Sequence, residues 1–184
     1  MLFRSIKNRR FLAGVLVAAV IVIFTGASAG PRGVPASEGI GNFAKVSEKL
    51  YRGAQPDGPG IQSLQRLGIK SIINLRMADD IWAAEETEAR GRGIFYTNVP
   101  FRGFGRPTPE QVRQVLAMVE TLPGPVFIHC KHGCDRTGTI VACYRITHEN
   151  WANDRALSEA VRYGISRFER GMKQFIRDFR QAAK

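Results

Sequence analysis

The sequence predicts an α/β domain with a central, mostly parallel sheet flanked by helices, preceded by an apolar N-terminal helix. Short apolar runs alternate with longer stretches rich in Ala, Glu, Gln and Arg, which is the order of repeated strand–helix units. A glycine-bearing loop, His129 to Gly138, joins one of those strands directly to a helix. At 184 residues, with no internal repeat, the chain suits one domain with a full core.

The elements follow in chain order. Arg4, Lys7, Arg9 and Arg10 precede 14 apolar residues, 11–24, and the small-residue ending Ala27-Ser28-Ala29. Residues 1–29 therefore read as a signal peptide or a retained membrane anchor. Both readings put the rest of the chain outside the cytoplasm, exported or membrane-tethered. Residues 30–41, rich in Gly and Pro, read as a linker, and 42–184 as the folded domain. Within it, 49–54 reads as a strand, 60–67 as a short helix and 71–75 as a buried strand. Residues 80–90 read as a helix and 95–99 as a strand. Thr108-Pro109-Glu110-Gln111 opens the next helix with a cap, a first-turn Pro and a capping-box Gln. Residues 124–128 form the strand before the loop and 137–149 the helix after it, with 154–163 and 167–182 as a helical tail.

The loop sets a thiol, Cys130, and a guanidinium, Arg136, at its two ends. Arg136 is a planar, always charged fork suited to two oxygens of a phosphoryl group. The loop amides and the helix N-terminus suit the remaining charge and favour Cys130 as a thiolate nucleophile. Gly133 would allow close backbone approach to the ligand, and Gly138 would let the helix pack tightly on the strand. Thr137 is placed to orient the thiolate or a water, and Lys131, His132 and Cys134 complete the loop.

This run resembles the signature of the cysteine-dependent protein tyrosine and dual-specificity phosphatases: His-Cys, five residues, Arg, then Ser or Thr. With Leu50-Tyr51-Arg52-Gly53-Ala54-Gln55-Pro56 and Gly68 to Arg76, the likeness narrows to the plant-and-fungal-type atypical dual-specificity phosphatases and their bacterial relatives. The resemblance covers roughly residues 40–165 and implies a cysteine-phosphatase fold, a phosphocysteine intermediate, and neither metal nor other cofactor. It also implies a substrate that is a phosphorylated protein, an inositol phosphate or a phosphoinositide.

One part of the pattern is missing. These phosphatases usually carry a proton-donating Asp on a mobile loop upstream of the Cys, and here residues 100–108 hold no carboxylate. Asp135 takes its place as the expected acid, because it resembles the loop Asp of myotubularin and Sac-type phosphoinositide phosphatases. Glu110 is the runner-up, with Asp79 and Asp80 behind it. Arg102 and Arg106, on the acid-free loop, are expected as substrate clamps.

Other functions fit less well. Gly133 and Gly138 have nucleotide-loop spacing, but Thr139 stands where the phosphate-binding Lys is required. His129, Cys130, His132 and Cys134 lack a second Cys or His pair to complete a tetrahedral metal site. The net charge of +11 is not organised into a nucleic-acid motif, so no nucleic acid is expected as a partner. A phosphate-binding pseudophosphatase, which would recognise phosphorylated partners without turnover, is the alternative from another class. Among the thiols, Cys134 is the candidate to bridge Cys130 on oxidation, while Cys143 belongs in the core.

Overall fold

A computed structural model describes residue 33 and residues 35–180. The expected signal or anchor segment, 1–29, lies outside the described residues. Among the described residues no helix is long and apolar enough to cross a membrane.

Five strands form one sheet in the order β1-β2-β5-β3-β4. These are β1 (Ala44–Lys45), β2 (Leu50–Ala54), β3 (Ser71–Asn74), β4 (Phe95–Asn98) and β5 (Val126–Cys130). Only β1, a short edge strand that the periodicity did not reveal, is antiparallel. The other pairings are parallel, as expected of strand–helix–strand crossovers. Between them run α1 (Gly58–Arg66), α2 (Glu85–Gly91) and α3 (Pro109–Thr121), and after β5 come α4 (Asp135–Glu149), α5 (Asn153–Arg162) and α6 (Arg170–Asp178).

Strand β5 lies centrally with all five residues buried, which is why it lacks polar alternation. Because successive side chains point to opposite faces, Val126 and Ile128 enter one core with Ile73, Val112, Val115, Val119 and Ile140. Phe127 and Ile72 enter the other, with Ile61 and Leu64 of α1 and Ile94 and Tyr96. The α3 capping box forms as the sequence predicts: Thr108 accepts from the Gln111 amide and Gln111 reaches back to the Thr108 amide. A third cluster joins α4, α5 and α6 through Ile146, Ala156, Leu157, Ala160, Met172 and Ile176.

Two helices differ from their expected bounds by more than two residues. The helix expected over 80–90 begins only at Glu85, after a short 3-10 turn at Ala78–Asp80. Asp80 is drawn back to Arg76 at 2.7 Å, and Ile81 is extended, so the chain cannot turn helical there. Helix α6 spans Arg170–Asp178, because residues 166–169 form a separate turn tied to α4.

Candidate active site

Cys130 is the last residue of β5, and Asp135 and Arg136 are the first residues of α4, so the loop is only Lys131 to Cys134. The N-terminus of α4 has no side-chain cap. Its first-turn amides are therefore left without a side-chain acceptor, and an anion at a helix N-terminus is suited to supply one. Cys130 is buried, as is Arg136, whose Nη1 lies 3.4 Å from the carbonyls of Leu75 and Phe101. Thr137 is fully buried, and its hydroxyl has no hydrogen-bond partner in the protein. Such a hydroxyl is suited to the nucleophile or to a water.

The loop is held from behind by β2. Gly133 adopts φ +67°, and a Cβ there would lie 2.6 Å from the Gly53 carbonyl carbon. The glycine is thus required by the approach of β2, whereas the sequence suggested approach of a ligand. Arg52, a buried charge in the middle of β2, donates from Nη2 to the Gly133 carbonyl at 2.7 Å. Its guanidinium stacks on Tyr163 at 3.8 Å. Burial pulls the Arg52 guanidinium down to about 10, partly offset by Tyr163, Glu159, Cys130 and Cys134. It remains a cation at neutral pH.

Gly138 also differs from expectation. A Cβ added there would make only ordinary contacts, with Ala160 of α5 at 3.6 Å and Arg52 Nη2 of β2 at 3.9 Å, so neither neighbour requires a glycine at this position.

A second buried network includes His129, beside Cys130 at the end of β5. His129 Nε2 sits 2.8 Å from Glu85 Oε1, with both side chains fully buried. Glu85 Oε2 accepts from Asn74 Nδ2 at 2.8 Å and from the Tyr96 hydroxyl at 3.2 Å. Burial alone would raise the Glu85 carboxyl, but His129, Gln55 and Tyr96 outweigh it and hold it below its ordinary 4.5.

The loop side chains diverge. Lys131 and His132 are exposed, whereas Cys134 is buried and its Sγ accepts from Asn42 Nδ2 at 3.1 Å. Asn42 also donates to the His132 carbonyl at 2.8 Å. All three cysteines are free thiols, and burial pushes the Cys143 thiol up, as befits a core residue. With His129 committed to Glu85 and Cys134 to Asn42, the loop does not present a converged donor set for a metal.

The expected acids and clamps are distributed unevenly. Asp135 lies beside the loop, and its Oδ1 accepts from the Ser166 amide at 2.6 Å. Glu110 stands exposed on α3 in an ion pair with Arg113; hydrogen bonds to backbone and to Arg113 hold its carboxyl low. Partial desolvation would raise the Asp80 carboxyl, but Arg76 outweighs it, with help from Lys131 and Arg136. Asp80 is therefore close enough to feel the catalytic loop, yet held low and paired. Asp79 is exposed beside it in the same turn.

Arg102 is exposed on the rim of a cleft of about 490 Å³ lined also by Phe101, Gly105 and Met172. Arg106 is not available as a free clamp: its Nη1 pairs with Asp178 at 2.8 Å and its guanidinium lies over Phe175 of α6.

Sequence reasoning missed Arg52, Glu85, Asn42 and Glu169. Arg52 alone left a local signal, a charge inside an otherwise buried strand. Glu85 and Asn42 act through long-range contacts. Glu169 is a buried carboxylate whose Oε2 accepts from the Gly105 amide at 3.2 Å, which joins α6 to the acid-free loop.

Comparison with known proteins follows the same lines. A family profile described as "DSP-PTPase phosphatase fused to NAD+ Kinase" matches residues 34–178. The dual specificity protein phosphatase TpbA of Pseudomonas aeruginosa PAO1 is 30% identical over 174 residues, covering 90% of this chain and 72% of the relative. Against TpbA of strain UCBPP-PA14 the match spans 55% of the relative's length. Inositol diphosphatase DSP5 of Arabidopsis thaliana is 28% identical over 148 residues, covering 75% of this chain and 69% of the relative. Among solved structures, P. aeruginosa TpbA superimposes with a TM-score of 0.68 at 27% identity, covering 83% of this chain and 92% of that one. The core catalytic domain of the PP-IP phosphatase SIW14 from S. cerevisiae gives 0.68 at 25% identity, covering 80% and 88%.

Proposed function

The chain belongs to the dual-specificity branch of the cysteine-dependent phosphatases, and on that premise we propose that it is a phosphomonoesterase acting through a phosphocysteine. The observation that carries the proposal is one short loop with Cys130 before it and Arg136 after it, running into an N-terminus of α4 that has no side-chain cap. In the first step the Cys130 thiolate attacks phosphorus and the ester P–O bond breaks. Arg136 and the loop amides stabilise the equatorial oxygens, where positioning and electrostatics supply most of the catalysis. Asp135 gives the departing oxygen its proton. In the second step water attacks the phosphocysteine, Asp135 takes a proton from that water, and the Thr137 hydroxyl orients it. The P–S bond breaks, releasing phosphate and the thiolate.

The substrate class divides two ways. Generic activity on aryl phosphates and phosphotyrosine peptides follows from the loop alone and agrees with the named activity of TpbA. A preference for inositol polyphosphates or phosphoinositides is favoured by the exposed cations Lys131 and Arg102, by the exposed His132, and by the named activities of DSP5 and SIW14. Extra charge-assisted contacts would reward a ligand with several phosphates. Phosphate release from phosphotyrosine, phosphoserine, phosphoinositide and inositol polyphosphate substrates decides between them. A preference for polyphosphates that weakens in Lys131→Ala supports the second class, and a phosphotyrosine preference unchanged by Lys131→Ala excludes it. Tight phosphate binding with no release on any substrate would identify a pseudophosphatase instead.

Residues 1–29, by their basic, apolar and small-residue pattern, are proposed to direct the domain out of the cytoplasm, by cleavage or as an anchor. Cell fractionation with N-terminal mass analysis tests this, and soluble full-length protein in the cytoplasm would refute it.

A further inference from the structure

The loop that carries the proton donor in related phosphatases has no acid here, and it is fastened to the rest of the molecule in an unexpected way. The Ser166–Glu169 turn is bonded at both ends to the two loops that form the site. At one end the Ser166 amide donates to Asp135 Oδ1 at 2.6 Å, at the start of α4. At the other end Glu169 Oε2 accepts from the Gly105 amide at 3.2 Å, in the middle of the acid-free loop. The Glu169 amide closes the turn on the Ser166 carbonyl at 3.0 Å.

The backbones meet as well. A Cβ at Gly171 would fall 2.5 Å from the Arg106 nitrogen and 2.7 Å from the Gly105 carbonyl carbon. Only a glycine lets the α6 N-terminus approach the loop so closely. Arg106 then reaches along α6 to Asp178 at 2.8 Å.

Glu169 is only 2% exposed, and burying a carboxylate is costly unless it is engaged. Desolvation and the nearby Asp135 raise its carboxyl, while the Gly105 amide, Lys173 and Arg136 oppose the rise. These groups come from α4, the loop and α6, so Glu169 stands where all three converge.

We propose that Glu169 is a positioning residue that braces the 100–107 loop through the Gly105 amide, so that the Phe101 carbonyl of that loop stays 3.4 Å from Arg136 Nη1 and the loop is held against the phosphate site. The proposal rests on the phosphatase reading for its kinetic consequence, though the brace can be tested without turnover. In Glu169→Ala the Gly105 amide loses its acceptor, and the loop bearing Arg102 is released. In Glu169→Gln the side-chain carbonyl still accepts that N–H.

The experiment measures hydrogen exchange of peptides covering residues 100–107, together with kcat and KM for an aryl phosphate and thermal melts of each variant. Glu169→Ala should raise exchange in that loop while the β5 peptides stay protected, and should raise KM about tenfold with kcat changed much less. Glu169→Gln should restore both. Gly171→Ala, which forces the loop away without altering any charge, should reproduce the exchange and KM effects. If Glu169→Gln is as impaired as Glu169→Ala, or if kcat falls while KM and loop exchange stay unchanged, the brace is wrong. A parent enzyme with no turnover would overturn the phosphatase reading, and the exchange data would still decide the brace.

Discussion

Replacing Glu85 with Ala tests whether β5, the strand that ends in Cys130, is held by a buried polar network. The substitution removes the shared acceptor of Asn74 Nδ2 at 2.8 Å and the Tyr96 hydroxyl at 3.2 Å, and the carboxylate that lies 2.8 Å from His129 Nε2, while Asn74 Nδ2 keeps the Tyr96 oxygen at 2.9 Å as a second acceptor. The Tyr96 phenol is pushed up by burial and by the Glu85 charge, so it stays a donor needing an acceptor. Each buried donor that loses its acceptor costs about 1–3 kcal/mol. Because these groups share one cavity the costs overlap, and the expected loss is about 4 kcal/mol. At about 2–4 °C per kcal/mol for a domain of this size, Tm should fall by roughly 8–16 °C. Urea and thermal unfolding, read by circular dichroism, supply the measurement. A sign follows for pH as well. The folded Glu85 carboxyl lies below its ordinary 4.5, so its contribution is complete above that pH and lost as pH falls through the folded value. Glu85→Gln should therefore show less loss of stability across that acid window than the parent. A fall in stability below about 1 kcal/mol for Glu85→Ala, or an unchanged acid slope for Glu85→Gln, would refute the network's role.

Three further outcomes are expected. Arg136→Lys should lose about 10²–10³-fold in kcat, since an ammonium cannot reproduce the two-oxygen fork, and steady-state kinetics on an aryl phosphate would show it. Asp135→Asn keeps an acceptor for the Ser166 amide but no titrating proton, so it should impair alkyl phosphates far more than activated aryl phosphates. If Glu110→Gln shows that pattern instead, the acid moves to α3. Arg52→Met should preserve bulk while releasing the Gly133 carbonyl; it should lower kcat/KM about tenfold or more, and an unchanged value would count against a loop-holding role.

The strand–helix order, the α3 cap and the loop with Cys130 and Arg136 were legible because each is written in consecutive residues. Spacing of apolar positions and the Thr108-Pro109-Gln111 cap are local signals that burial and hydrogen bonding then satisfy. The late start of α2 was not legible, because Asp80 is withdrawn by Arg76 and the Ala- and Glu-rich run gives no hint of that pairing. Edge strand β1 is too short to show periodicity. Arg106 looked like a substrate clamp from its place in the chain, but Asp178, far along the sequence, claims it. Glu85 with His129, and Glu169 with Gly105, depend on contacts that only the tertiary fold creates. What supports the site was therefore hidden, while the groups placed to meet the phosphate were in plain view.

The most direct test of the central proposal is to trap the covalent intermediate. Enzyme mixed with an aryl phosphate and quenched in acid within one turnover, then digested for mass spectrometry, should carry a phosphoryl group on the Cys130 peptide. Asp135→Asn should prolong the label's lifetime, Cys130→Ser should abolish it, and chelators should leave it unchanged. Phosphate release with no label on Cys130, with a label elsewhere, or at an undiminished rate in Cys130→Ser would contradict the phosphocysteine mechanism.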